Sequence, residues 1–202
     1  MQEPEFRDEG HRSEFENEDR EGAARKEKDS FLSFLGELPV LIITAIVVAW
    51  LIKTFIVQPF YIPSSSMEPT LLPGDRVLVS KLSYRFAEPK PGNVVVFIAP
   101  EPQGVVETDF IKRIVAISGM RVEETNGRLL IDGKVQDEPF TRPDNPTNNY
   151  GPSTVPANKV FVMGDNRGNS KDSRYFGPIN RDDLVGKAFF VYWPPGRAGL
   201  LK

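Results

Sequence analysis

The run Phe110-Ile111-Lys112-Arg113-Ile114-Val115 is a strand-like sequence with two adjacent cations among apolar residues. Side chains of a strand alternate between its two faces, so Lys112 and Arg113 point in opposite directions. At least one of the two cations is therefore expected to lie with apolar neighbours in a buried region. The alternative is an edge strand from which both charged ends reach solvent.

Short runs rich in Val, Ile and Phe, separated by Gly and Pro, fill the chain beyond residue 58. They are Arg76–Ser80, Asn93–Ile98, Val105–Ile117, Lys159–Met163 and Leu184–Tyr192. No sustained helical period occurs there. The predicted fold is therefore mostly β, with antiparallel sheets that form a partly closed barrel.

Two segments between these runs carry turn and loop signals. The pairs Asn126-Gly127 and Asp132-Gly133 supply the positive φ that two-residue hairpins need, so residues 121–136 are predicted to form a small meander. Thr141–Asn158 is rich in Pro and Asn and is predicted to be one long irregular loop.

The stretch Leu38–Val57 is long and apolar enough to predict a transmembrane helix. Its twenty residues would span ~30 Å as a helix, and Lys53 near its end is the only charge. It is apolar on every face, unlike an amphipathic core helix. Residues 31–57 are thus predicted to be a membrane anchor. Basic residues just before it, at 25, 26 and 28, predict a cytoplasmic N-terminus and an extracytoplasmic domain over residues 58–202.

Composition limits what this domain can do. Residues 1–30 hold six Lys/Arg and eleven Asp/Glu, a net charge of 6 − 11 = −5, and are predicted to be a disordered acidic tail. The net charge of −3 and the pI of about 5.4 argue against nucleic acid as a partner. With no cysteine and His11 as the only histidine, a Ser-His-Asp triad and thiolate chemistry are excluded.

A serine could still act as a nucleophile if a neutral lysine took its proton. Such a lysine must be buried, because loss of water lowers its pKa. Lys112 is the best candidate for this base. Candidate nucleophiles lie in Pro63–Leu71, three serines between two prolines, which predicts a stiff extended loop. The alternative for this stretch is a Pro/Ser linker.

Four motifs follow one another along the chain: Pro63–Leu71, Gly74–Lys81, Asp109–Arg113 and Gly164–Arg174. In this order they resemble those of the type I signal peptidases, membrane-bound Ser-Lys proteases that remove signal peptides. The likeness covers residues from about 31 to 193.

The resemblance implies a role for each residue that matches the motifs. Ser66 would be the nucleophile, Lys112 its general base, and Ser64 an oxyanion donor beside the Ser66 amide, with Ser65 as a spacer. Ser170 would hydrogen-bond the Lys112 amine. The loop would be braced from behind by Asp165, Asp172 and Arg174. Shallow pockets for small residues, usually Ala, one and three places before the cut would be lined by Phe60, Ile62, Met67, Leu71, Phe110 and Ile111.

The resemblance also implies no cofactor, a place at the cell membrane, and signal peptides of preproteins and the lipid bilayer as partners. It makes the protein-export translocase a further candidate partner. Apolar contact with the bilayer, or simply core packing, is expected of Phe189, Phe190, Tyr192 and Trp193.

Some residues depart from the family pattern. Phe110 stands where many members have Tyr, and 116–120 departs from the usual Gly-Leu-Pro-Gly-Asp. The short interval between Lys112 and Ser170 predicts that the family's large second domain is reduced to the 121–136 meander. Two rival functions stay open: a self-cleaving repressor-type protease, and a non-catalytic anchored β-domain that binds partners.

Overall fold

A computed structural model of the chain describes residues 38–50, 56–100, 109–142 and 149–201. The chain divides into two compact units, Met1–Leu51 and Ile52–Lys202. In the first unit, residues 38–50 are helical (α1) and expose their large apolar side chains. The predicted acidic tail lies outside the described residues.

The predicted membrane span can be compared with the structure only in part. Among the described residues, no helix combines the length and the apolar character needed to cross a membrane. Residues 51–55 of the predicted span lie outside the described ranges. Val57, the predicted end of the span, begins a β-strand instead.

The second unit is mostly β, which confirms the predicted fold class. Its strands are β1 (Val57–Tyr61), β2 (Arg76–Ser80), β3 (Val94–Ile98), β4 (Asp109–Ile117), β5 (Arg121–Thr125), β6 (Arg128–Ile131), β7 (Lys134–Val135), β8 (Tyr150–Thr154), β9 (Lys159–Met163), β10 (Ile179–Asn180), β11 (Leu184–Trp193) and β12 (Gly199–Leu200). Two short helices are α2 (Ser83–Phe86) and α3 (Ser173–Phe176), and three 3₁₀ turns cover Arg167–Asn169, Arg181–Asp183 and Pro195–Arg197.

The large sheet has antiparallel strands in the order β1-β2-β11-β3-β4-β9-β10, with β12 added beside β11. Strand β4 lies between β3 and β9, where Lys112 pairs with Val95. It is therefore not an edge strand. Lys112 and Arg113 are only 4% and 1% exposed, so the alternative with both charges in solvent is wrong.

The small sheet has the order β7-β6-β5-β8 and contains the predicted meander. Asn126 and Asp132, each followed by a glycine, have φ of 51° and 52°, as the hairpin prediction requires. The prediction of one irregular loop over 141–158 is wrong at β8, which pairs with β5. Local composition missed this strand because its pairing partner lies far away in sequence; residues 143–148 of the predicted loop lie outside the described ones.

One hydrophobic cluster joins the two sheets. Val115 of β4 and Phe161 of β9 pack with Val122 of β5 and Leu129 of β6, all of them buried. Full burial of an aliphatic or aromatic side chain stabilises a fold by roughly 1.5–3 kcal/mol. The small sheet is thus fixed on the large one at the strands that carry Lys112 and the segment after β9.

Candidate active site

The loop between β1 and β2 holds the three serines. Its backbone makes turns, with the Glu68 amide donating to the Ser65 carbonyl at 3.1 Å and the Leu71 amide to the Met67 carbonyl at 2.9 Å. The predicted extended conformation is therefore wrong, because successive local hydrogen bonds are formed here. The turns place Ser66 in a buried position, 7% exposed.

Lys112 approaches Ser66 from the centre of the large sheet. Its Nζ donates to Ser66 Oγ at 2.8 Å and to the Ile111 carbonyl at 2.9 Å, and it lies 5.3 Å from the centre of the Phe110 ring. Burial lowers the pKa of Lys112 from 10.5 to about 8, although Asp172 and Asp165 act in the opposite direction. A neutral amine, able to accept a proton, is therefore accessible near neutral pH.

Two asparagines hold the serine loop from the segment after β9. Asn166 donates its side-chain amide to the Ser65 carbonyl at 3.1 Å and its backbone amide to the Ser66 carbonyl at 3.1 Å. Asn169 donates to Ser65 Oγ at 2.9 Å. Ser65, predicted to be a spacer, is thus an attachment point. Ser64 is exposed and its Oγ lies 3.3 Å from Ser66 Oγ, beside the candidate nucleophile.

Ser170 does not make the contact that was predicted for it. Its hydroxyl is buried, yet within the described part of the chain it has no hydrogen-bond partner, so the expected bond to the Lys112 amine is not formed. The amine instead uses the Ile111 carbonyl as its second acceptor. Ser170 lies against Gly164, where an added Cβ would approach its Oγ to less than 3.0 Å.

A buried ion pair joins three of the motifs. Arg113 donates through Nε to Asp165 Oδ1 at 2.9 Å and through Nη2 to Asp165 Oδ2 at 2.8 Å. Thr70, from the serine loop, donates its hydroxyl to Asp165 Oδ2 at 2.5 Å. Bidentate pairs of this kind fix orientation as well as distance. The serine loop, the base strand and the segment after β9 are thereby held together.

Asp172 and Arg174 form a second brace. Asp172 is fully buried and caps the N-terminus of α3, where its side chain accepts the Arg174 amide at 3.3 Å and the Arg174 guanidinium at 2.9 Å. It also accepts the Gly164 amide at 3.0 Å, next to the serine loop. Both side chains thus bond to each other and to the backbone around Gly164; the bracing role that the resemblance implies for them stays a prediction.

Five of the six predicted pocket residues share one hydrophobic cluster, and Phe110 packs in another. Ile62, Met67 and Leu71 are core residues, 0–1% exposed, and present no surface to a bound peptide in this structure. Ile111 belongs to the same cluster, with Phe60 packed against it. Phe110 packs in a different cluster, with Phe97 and Phe176. Apolar residues near a loop also build the core beneath it, and contact of these six side chains with a substrate stays a prediction.

A serine hydroxyl bonded to a buried lysine amine is an arrangement that can support nucleophilic catalysis without histidine. Comparison with known proteins identifies the family. The chain belongs to the signal peptidase family, peptidase S26, whose family model matches residues 35–193. The predicted resemblance is confirmed.

Individual relatives are similar over most of their length. A probable signal peptidase I-2 of Synechocystis sp. is 41% identical, over 92% of this chain and 85% of the relative. Signal peptidase IB of Staphylococcus aureus is 37% identical, over 79% of this chain and 90% of the relative. A crystal structure of a signal peptidase I from Enterococcus faecalis aligns with a TM-score of 0.42 and 27% identity, over 50% of this chain and 97% of that chain.

Proposed function

We propose that this protein is a signal peptidase that removes N-terminal signal peptides from exported preproteins by means of Ser66 and Lys112. The observation that carries the proposal is the 2.8 Å contact between the buried Lys112 amine and the Ser66 hydroxyl. Family membership supports the substrate class, since the relatives are named signal peptidases.

The proposed reaction proceeds through an acyl-enzyme. Neutral Lys112 takes the Ser66 proton as Oγ attacks the scissile carbonyl, and the resulting ammonium then gives that proton to the leaving amine. The oxyanion is stabilised by the Ser64 hydroxyl and the Ser66 amide; removal of one such donor typically costs ~3 kcal/mol of transition-state stabilisation. Water, deprotonated by Lys112, then hydrolyses the ester and frees Ser66.

The substrate is proposed to bind as an added strand, cut after a small residue of an Ala-X-Ala site. Phe60, Phe110 and Ile111 are the predicted pocket residues that remain candidates for contact with it, because all three stand beside the serine loop or the base. Ile62, Met67 and Leu71 would instead support the serine loop by packing against it from the core.

The protein is further proposed to work at the cell membrane, with its N-terminus cytoplasmic and the domain beyond residue 58 extracytoplasmic. Support comes from the exposed apolar side chains of α1 and from the basic residues before it. Protease added outside intact cells should degrade the β-domain; full protection there, with digestion only after lysis, would contradict this orientation.

The rate of acylation should depend on pH through Lys112. Since the charged amine cannot accept a proton and its pKa is about 8, the rate constant should rise about tenfold per pH unit below pH 8 and level off above it. Stopped-flow measurement with an ester or peptide substrate gives this profile. A rate that is flat from pH 6 to 9 would exclude Lys112 as the base.

Cleavage of a preprotein tests the proposed function itself. The purified protein should cut a preprotein once, after its Ala-X-Ala sequence, and Ser66→Ala should stop cleavage, because the variant lacks the hydroxyl that attacks the scissile carbonyl. Sequencing of the new N-terminus identifies the site. A non-catalytic β-domain would leave the preprotein intact, and cutting by Ser66→Ala at the wild-type rate would refute the assigned nucleophile.

A further inference from the structure

Glu124 is a buried acid that the proposed reaction does not use. It lies on β5 of the small sheet and is 1% exposed. Its Oε2 accepts Arg174 Nη1 at 3.1 Å, and its Oε1 lies 4.0 Å from Arg167 Nη1. Burial raises the pKa of Glu124, while the two guanidinium groups act in the opposite direction. The small sheet thus presents a carboxylate to the segment after β9.

Glu138, in the segment that leaves the small sheet, gives Arg167 a second partner. Both of its carboxylate oxygens accept from the Arg167 guanidinium, one of them at 2.9 Å. The two side chains are 12% and 4% exposed. Such bidentate pairs fix the plane of a guanidinium. Arg167 is therefore held between Glu124 and Glu138.

Both arginines act on the backbone next to the serine loop. Arg167 Nε donates to the Gly164 carbonyl at 3.1 Å, and Arg174 Nη2 donates to the Arg167 carbonyl at 2.7 Å. Arg174 also bonds Asp172, which accepts the Gly164 amide. Gly164 in turn lies so close to the Ser66 carbonyl that a Cβ would approach it to less than 3.0 Å.

Stability alone is a weak reason for such a cluster. The free energy lost when a buried ion pair gives up its hydration is often as large as the free energy gained from the attraction between the charges. Apolar side chains of similar size can therefore replace such a pair without loss of stability. Glu124 Oε1 has no hydrogen-bond partner among the described residues, which adds to that cost. Orientation of the segment after β9 is a benefit that apolar packing would not supply.

We propose that Glu124 and Glu138 are positioning residues for the reaction: through Arg167 and Arg174 they hold Gly164 against the serine loop. The small sheet is then a working part of the active site. The expected loss of turnover rests on the proposed function. The expected effect on the backbone of the segment after β9 does not.

The test compares Glu124→Gln and Glu138→Gln with Glu123→Gln in the full-length protein. Gln keeps the size and removes the charge that orients the arginines. Glu123 lies on the same strand, is only half-buried and accepts from Thr125, outside the cluster. We expect the two cluster variants to lose ten- to a hundredfold in kcat per active site with KM within twofold, and Glu123→Gln to match wild type.

Hydrogen exchange supplies a readout independent of catalysis. Backbone amides of 164–174 should exchange at least tenfold faster in Glu124→Gln and Glu138→Gln than in Glu123→Gln. Wild-type exchange and wild-type kcat in both cluster variants would overturn the proposal, as would a loss of activity fully explained by a smaller folded fraction. If wild type itself cleaves no preprotein, the proposed function fails, while exchange still decides whether these carboxylates hold the segment.

Discussion

Lys112→Met should abolish cleavage and make the folded protein more stable. The variant keeps an unbranched side chain of similar length but has no group that can take the Ser66 proton. General base catalysis contributes up to about 10⁴-fold, so turnover should fall by about that factor. Steady-state cleavage of a preprotein, with active sites counted by an acylating inhibitor in wild type, measures the loss.

The gain in stability follows from the direction of the pKa shift. Folding lowers the pKa of Lys112 from 10.5 to about 8, so the folded state binds this proton less tightly than the unfolded state. At 1.36 kcal/mol per pKa unit, the charge costs about 3 kcal/mol below pH 8, and the cost disappears as pH rises towards 10.5. Lys112→Met should therefore be more stable than wild type at pH 7, by up to that amount, and lose most of its advantage near pH 10.5.

Urea unfolding at pH 7 and pH 10.5 provides the comparison. Lys134→Met is the matched control, because Lys134 is exposed on β7 and faces solvent. It should change neither turnover nor stability. A Lys112→Met variant that is less stable than wild type at pH 7, or that still cleaves at a tenth of the wild-type rate, would contradict a buried, catalytic amine.

Gly164→Ala should lower turnover by about a hundredfold. Its Cβ would lie less than 3.0 Å from both the Ser170 hydroxyl and the Ser66 carbonyl, and the second of these is backbone that cannot rotate away. The serine loop or the segment after β9 must shift, and a displacement of about 1 Å near reacting groups can cost 10² in rate. Overpacking should also cost about 1–3 kcal/mol of stability.

Substitutions at two other glycines distinguish a loss of turnover from a loss of stability. Gly186→Ala places its Cβ equally close to the Ser80 carbonyl, at the end of β2 away from the serine loop. It should lower stability but leave turnover per folded molecule unchanged. Gly196→Ala meets nothing within 4 Å and should be neutral in both measurements. Equal losses of turnover in Gly164→Ala and Gly186→Ala would show that the effect is not local to the site.

Most of the fold could be predicted because its strands carry local signals. β2 and β9 were predicted with the observed bounds, since each is a run of branched apolar residues between turns. β8 was missed, because Tyr150–Thr154 becomes a strand only by pairing with β5. Local composition contains no information on such a long-range partner.

Lys112 could be singled out as a candidate base, because the absence of usable His and Cys left few bases for a serine; the choice of Ser66 among the three serines came only from the resemblance to the signal peptidases. The contacts around this pair could not be predicted. Asn166 and Asn169 were visible as polar residues, yet only the fold shows that both reach Ser65. No sequence signal distinguishes Glu124 from an exposed charged residue of a meander, because its burial depends on how the two sheets pack.

The most direct test of the central claim is the identity of the residue that becomes acylated. After exposure of the protein to a peptide-mimicking acylating inhibitor, digestion and mass spectrometry should locate one adduct on Ser66. The adduct should be absent from Ser66→Ala and should form far more slowly in Lys112→Met. An adduct on another residue, or none on wild type under conditions that acylate a known signal peptidase, would contradict the assignment of Ser66 as the nucleophile.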